Sequence, residues 1–223
     1  MAAADQYGKR MTPSHVIVLP GGGYSELSDN EGEIVAARLR TLGLSAGVFR
    51  YPVLTRHPGP LDAVRAEIRR VRAGGAGRVA LLGFSAGGHL AGHAALAPSV
   101  ADEERVDAAV LCYPVVSMQL ATHRGSQDQL IGPEADGRSR AATSLDRLVT
   151  PDAPPFFVWH TAADASVPVE HAYLLGQALA AHAVPHALHV FSDGEHGLGL
   201  AEGSGAAEQW SFLAARWLQA QGW

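Results

Sequence analysis

Six short apolar runs, several of them β-branched, alternate along this chain with segments of helical periodicity. They fall at residues 15–19, 47–51, 78–84, 106–113, 156–160 and 186–191. The order leaves few folds open, because each run must reach the next through a helix, which makes the strands parallel and puts helices on both sheet faces. The expected class is α/β: a three-layer αβα sandwich on a mostly parallel sheet of about six strands. The last helix is the plainest, with Trp210, Leu213, Ala214, Trp217 and Leu218 on one face. Another stripe, Leu61, Val64, Ile68 and Val71, leaves Arg65, Arg69 and Arg72 for the solvated side.

A chain of 223 residues with 47% hydrophobic and 17% charged residues can build one substantial core. Residues 14–223 read as a single domain and residues 1–13 as a flexible N-terminal segment. A net charge of −5 argues against a nucleic-acid partner. No run approaches the roughly 20 apolar residues of a membrane span, and the first 13 residues carry no apolar signal-peptide stretch. A cytoplasmic protein with no membrane partner is expected. The single cysteine, Cys112, allows no intramolecular disulfide and reads as a buried strand residue.

The third apolar run passes directly into Gly83-Phe84-Ser85-Ala86-Gly87-Gly88 and then into a small-residue helix. A strand-to-helix turn this sharp lifts a serine hydroxyl clear of the backbone, which marks Ser85 as a nucleophile. The pentapeptide alone is weak, since this composition gives roughly 0.17 chance matches. A second copy in fact occurs, Gly43-Leu44-Ser45-Ala46-Gly47. It runs from a helical pattern into a strand, the wrong order, and Gly43 reads as a helix C-cap.

A serine nucleophile needs a base, an orienting acid and oxyanion donors, and the chain order serine, acid, histidine is that of α/β-hydrolases. Asp164 lies in a short polar loop just past the fifth run. Asp152 precedes the fifth run, and Asp102 and Asp107 flank the start of the fourth, so all three would sit at the wrong sheet edge. His196 lies between glycines just past the sixth run and is the expected base. His160, His171, His182, His186 and His189 read as structural or surface residues. The oxyanion donors expected are the amides of Gly22 and Gly23, in the glycine run after the first strand, and of Ala86. No cofactor is implied, for the glycine run does not complete a dinucleotide fingerprint. No metal is implied either, since His89 and His93 lack the glutamate and third ligand of a zincin helix. The aperiodic stretch 115–155 leaves a strand's C-terminal end and is expected to wall the substrate cleft.

Together, Pro20-Gly21-Gly22-Gly23-Tyr24, the Ser85 turn, Tyr113-Pro114-Val115-Val116-Ser117-Met118, Trp159-His160-Thr161 with Asp164 and Val167-Pro168, and Gly194-Glu195-His196-Gly197-Leu198 resemble the acetylxylan esterase-like carbohydrate acetyl esterases. The resemblance implies an α/β-hydrolase fold with Ser85, Asp164 and His196 as triad and Gly22, Gly23 and Ala86 as oxyanion donors. It implies hydrolysis of short acyl esters, typically acetyl groups on sugar hydroxyls, so the partner expected is a small acyl ester or an acetylated oligosaccharide. Tyr24, Val167 and Leu198, within these motifs, are expected to contact substrate. Compared with eight-stranded relatives, the sheet is expected to be trimmed, without a separate lid domain, and the site open. Rival readings are an arylformamidase or peptidase-like amide hydrolase, and a hydrolase-fold binding protein without catalysis.

Overall fold

A computed structural model describes residues 13–98 and 101–223. The expected flexible segment, apart from Pro13, lies outside the described residues. The elements are β1 (Ser14–Leu19), α1 (Glu33–Thr41), β2 (Ala46–Val48), α2 (Gly59–Ala73), β3 (Arg78–Phe84), α3 (Ser85–Leu96), β4 (Ala108–Cys112), α4 (Arg124–Leu130), α5 (Gly137–Ala142), β5 (Phe156–Thr161), α6 (Glu170–Ala181), β6 (His186–Phe191) and α7 (Trp210–Ala220). The strands form one parallel sheet in the order β2-β1-β3-β4-β5-β6. This is the α/β-hydrolase architecture with six strands.

Alternate residues along each strand feed two separate cores. Leu81, Leu111 and Val158 point to one face, where Leu61, Val64 and Ile68 of α2, Leu90 of α3 and Leu175 of α6 cover them. Leu82, Val110 and Trp159 point to the other, under Val35 and Leu39 of α1 and Trp210 and Leu218 of α7. Helix α3 crosses the centre of the sheet, and nearly all its residues are buried. Cys112 is buried on β4. Among the described residues, no helix is long and apolar enough to cross a membrane.

Three sequence expectations need correction. Strand β2 ends at Val48 rather than residue 51. It is an edge strand held only by β1, and after Phe49 N–H bonds Val18 O the chain turns inward, burying Tyr51 with its hydroxyl donating to Pro20 O at 2.7 Å. On α2, Arg65 and Arg72 are not on a solvated face: their side chains are 14% and 15% exposed and pair with Glu104 and Asp107. The stretch 115–155 is not aperiodic, for it contains α4 and α5. His171 pins its start, accepting from Val116 N–H at 2.8 Å and donating through Nε2 to Ala121 O at 2.8 Å.

Candidate active site

The parallel sheet brings the ends of β1, β3, β5 and β6 to one edge, and each delivers part of the site. At the end of β3 the chain reverses into α3 with Ser85 at φ 51°, a left-handed conformation that a non-glycine residue rarely adopts. The reversal needs bare backbone around it. A Cβ on Gly83 would run into the carbonyl of Gly87, and one on Gly87 into the carbonyls of Leu19 and Pro20. Ala86 follows in the first turn of α3, where amides have no intrahelical acceptor and the helix dipole presents positive potential.

Ser85 Oγ lies 2.8 Å from His196 Nε2, and His196 Nδ1 lies 2.6 Å from Asp164 Oδ2. An ionised carboxylate only accepts, so Nδ1 carries the hydrogen and the Nε2 lone pair faces the serine hydroxyl. The other oxygen of Asp164 accepts the amides of Ser166 at 2.8 Å and Val167 at 2.9 Å. Burial pushes the Asp164 carboxyl up, but the bonds from His196 and from these amides outweigh it and hold the group below the usual carboxylate range. His160, fully buried, approaches Asp164 no closer than 4.0 Å, and desolvation lowers its pKa.

The glycine loop after β1 completes the edge. Gly22 and Gly23 have φ 117° and 66°, and Gly22 O accepts the amides of Ser25 and Glu26. Among the described residues, no backbone turn or loop bond uses the Gly22 or Gly23 amide. Both glycines border the cleft that holds Ser85 and His196, a space of about 330 Å³. The rest of its lining is Ser25, Glu26, Ser28, Glu31, His123, Gly125, Gln129, Ser166 and Gly197, with no aliphatic side chain, no phenyl ring and no lysine or arginine. A larger cavity of about 640 Å³ lies among Ala97, Asp102 and Pro155 at the opposite sheet edge and contains none of these residues. Among the described residues, no three His, Cys, Asp or Glu side chains are grouped to hold a metal ion.

The structure thus brings Ser85, Asp164, His196, Gly22, Gly23 and Ala86 together. It does not bring the expected substrate contacts to the cleft. Tyr24, at φ 62°, is fully buried, its ring against those of Tyr51 and His89 and its hydroxyl 2.7 Å from His89 Nδ1. His89 Nε2 donates to Thr143 O, and burial lowers this histidine's pKa to about 4, so Nδ1 accepts the Tyr24 proton. Val167 is buried behind Asp164, and Leu198 faces a separate depression beside Phe191 and Gly203. The wall supplied by 115–155 is its segment 123–129, whereas residues around Gly132 lie at another pocket, next to Arg56 and Arg138. Glu31 and His123 are among the cleft residues that had no sequence signal of their own.

The model of the prolyl oligopeptidase family matches residues 61–220. The crystal structure of an acetyl ester-xyloside bifunctional hydrolase from Caldicellulosiruptor lactoaceticus is similar with TM-score 0.88 and 37% identity, over 95% of this chain and 84% of that one. The carboxylesterase Cest-2923 from Lactobacillus plantarum WCFS1 is similar with TM-score 0.79 and 30% identity, over 100% of this chain and 91% of that one. Endo-1,4-beta-xylanase B of Butyrivibrio fibrisolvens is 32% identical over 206 residues, 83% of this chain but 32% of that protein. The chain therefore spans about a third of the length of that relative. With a six-stranded parallel sheet and a family match over residues 61–220, the chain belongs to the prolyl oligopeptidase family of α/β-hydrolases, and it is similar to a carboxylesterase and an acetyl ester hydrolase of known structure.

Proposed function

We propose that this protein is a serine carboxylesterase that removes short acyl groups, acetyl above all, from hydroxyls of xylan-derived or other oligosaccharides, and that residues 14–223 act as one domain. His196 Nε2 takes the proton of Ser85 as Oγ attacks the ester carbonyl, and Asp164 stabilises the imidazolium. The amides of Gly22, Gly23 and Ala86 hold the oxyanion. His196 then gives its proton to the departing alcohol oxygen, and a water activated by the same ring releases the acyl group from Ser85. The observation that carries this reading is the unbroken chain Ser85–His196–Asp164, with contacts of 2.8 and 2.6 Å, opening into a polar cleft.

The substrate class is supported by what lines that cleft. Hydroxyl, carboxyl, amide and imidazole groups suit a sugar, while no apolar channel is present among the lining residues to desolvate a long acyl chain. Glu26 and Glu31, with no lysine or arginine in the lining beside them, favour uncharged over anionic esters. The test compares acetyl, butyryl and octanoyl aryl esters with acetylated xylo-oligosaccharides, Ser85→Ala serving as control. We expect kcat/KM to fall at least about tenfold from acetyl to octanoyl, with measurable deacetylation of the sugars. Equal turnover of octanoyl esters removes the short-acyl reading, and inert acetylated sugars remove the carbohydrate one.

The match to a family described by a peptidase supports a second reading, the same triad acting on an amide. Turnover of an acetyl anilide exceeding that of the matched acetyl ester would favour it.

A further inference from the structure

The short turn Asp29–Glu31 touches both loops that must stay in register during such a reaction. Toward the glycine loop, Glu31 Oε2 accepts the amide of Gly21, next to Gly22, at 2.7 Å. In the other direction, Glu31 Oε1 accepts the Tyr113 hydroxyl proton at 2.6 Å. That hydroxyl accepts the amide of Gly199 at 2.9 Å, three residues beyond His196. The Tyr113 ring also packs edge-on against the His196 imidazole, with centroids 5.0 Å apart. Asn30 adds a second tie, its Nδ2 donating to Gly197 O at 2.9 Å.

Packing alone does not account for Glu31. It is 2% exposed, and a carboxylate in such a place carries a desolvation penalty that an apolar side chain of similar size would avoid. Burial pushes its carboxyl up, while the bonds from Tyr113 and Gly21 and the nearby His196 pull the other way. Tyr113 itself sits at φ 36°, in the left-handed region unfavourable to a tyrosine, and such strain persists where surrounding contacts enforce a geometry.

We propose that Glu31 is a positioning residue of the hydrolytic reaction, tying the loop of oxyanion donors to the loop that carries His196 through Gly21 on one side and Tyr113 on the other. The proposal rests on the assignment of Ser85, His196 and the glycine loop made above. Its chemistry is specific to a carboxylate, which accepts on both oxygens. A carboxamide accepts on one side only and sets an N–H against either the Gly21 amide or the Tyr113 proton.

The decisive experiment measures kcat, KM and the affinity for a trifluoromethyl ketone, which forms a tetrahedral adduct with an active-site serine. It compares wild type, Glu31→Gln, Tyr113→Phe, the double variant and Ser85→Ala, with melting temperatures alongside. Glu31→Gln is expected to lower kcat about 100-fold with KM within about threefold, because misplaced donors are felt in the transition state. Ketone affinity falls in step with kcat, which a purely structural residue would not produce in the folded fraction. Tyr113→Phe moves the same way, and the double variant is no worse than Glu31→Gln, as expected of one chain of contacts. Wild-type kcat and ketone affinity in Glu31→Gln overturn the proposal. Should Glu31→Gln not fold, Tyr113→Phe, which removes one hydroxyl, decides by the same criteria. Activity remaining in Ser85→Ala would instead overturn the nucleophile assignment, whatever Glu31→Gln does.

Discussion

The chain contains the pattern Gly-x-Ser-x-Gly twice, and in both copies the serine hydroxyl lies 2.8 Å from a histidine nitrogen: Ser85 from His196 and Ser45 from His15. Everything else differs. Ser85 follows a strand and opens a helix, so its backbone is forced into the left-handed region and the positive end of α3 lies beneath it. Ser45 follows the end of α1 and enters β2, exposed and in no such conformation. The partner of Ser85 is oriented by Asp164, whereas among the described residues no carboxylate bonds the ring of His15, whose pKa burial and Arg70 lower. The lesson is that the order of elements around the serine decides its chemistry, and that a serine–histidine contact without acid and oxyanion donors is only a hydrogen bond.

The largest effect expected from this contrast is on turnover. Ser85→Ala is expected to lower kcat on an aryl acetate about 10⁶-fold, and Ser45→Ala to leave it within about twofold. An active Ser85→Ala or a dead Ser45→Ala breaks the comparison. Next comes the acid: Asp164→Asn should cost about 10⁴-fold in kcat by leaving His196 in the wrong tautomer, a loss for which the His15 pair has no counterpart. Glycine substitutions read the same difference in stability. Gly83→Ala drives a methyl into the backbone of Gly87 and is expected to cost at least about 3 kcal/mol, while Gly47→Ala meets only the His15 ring, at 3.3 Å, and should cost under about 1 kcal/mol. Urea unfolding of the two variants checks the ordering, and equal losses would mean that the elbow is no more crowded than its copy.

A smaller effect concerns pH. The folded carboxyl of Asp164 titrates below its unfolded value near pH 3.9, so the stability it lends is full above that range and disappears as pH falls through the lowered folded value. The difference in melting temperature between wild type and Asp164→Asn is therefore expected to hold from neutrality to about pH 5 and to shrink on further acidification. A constant difference down to pH 3 would mean that Asp164 is not held by its bonds.

The six strands were legible because each is an apolar or β-branched run between helical segments, buried nearly throughout in β3, β4 and β5, and Ser85, Asp164 and His196 because each follows such a run at the same sheet edge. Where the chain reads wrongly, a tertiary contact decides. Phe49 and Tyr51 look like strand residues, yet β2 has a neighbour on one side only and Tyr51 finds Pro20 instead. Arg65 and Arg72 occupy polar positions on their helix, but the acidic residues Glu104 and Asp107 come from the segment before β4 and cover them. Tyr24 adjoins the glycine loop in sequence and still turns away from the cleft to meet His89, 65 residues on. Glu31 looks like any acidic loop residue, since its burial depends on Gly21 and Tyr113 closing over it from two sides.

The enclosure of α3 has a dynamic consequence. A helix packed against the sheet and covered by α2 and the turn after α5 cannot lose its hydrogen bonds by fraying into water. Its amide protons are expected to exchange only when the whole sheet opens, and so to be among the slowest in the molecule. The loop of His196 is held by separate bonds from Asn30, Tyr113, Thr161 and Trp210 rather than by a helix ladder, and is expected to open at lower cost than α3. Ser85 is thus mounted on an element expected to be among the most persistent in the protein, and thermal loss of activity is expected to begin with departure of the base while the nucleophile remains in place.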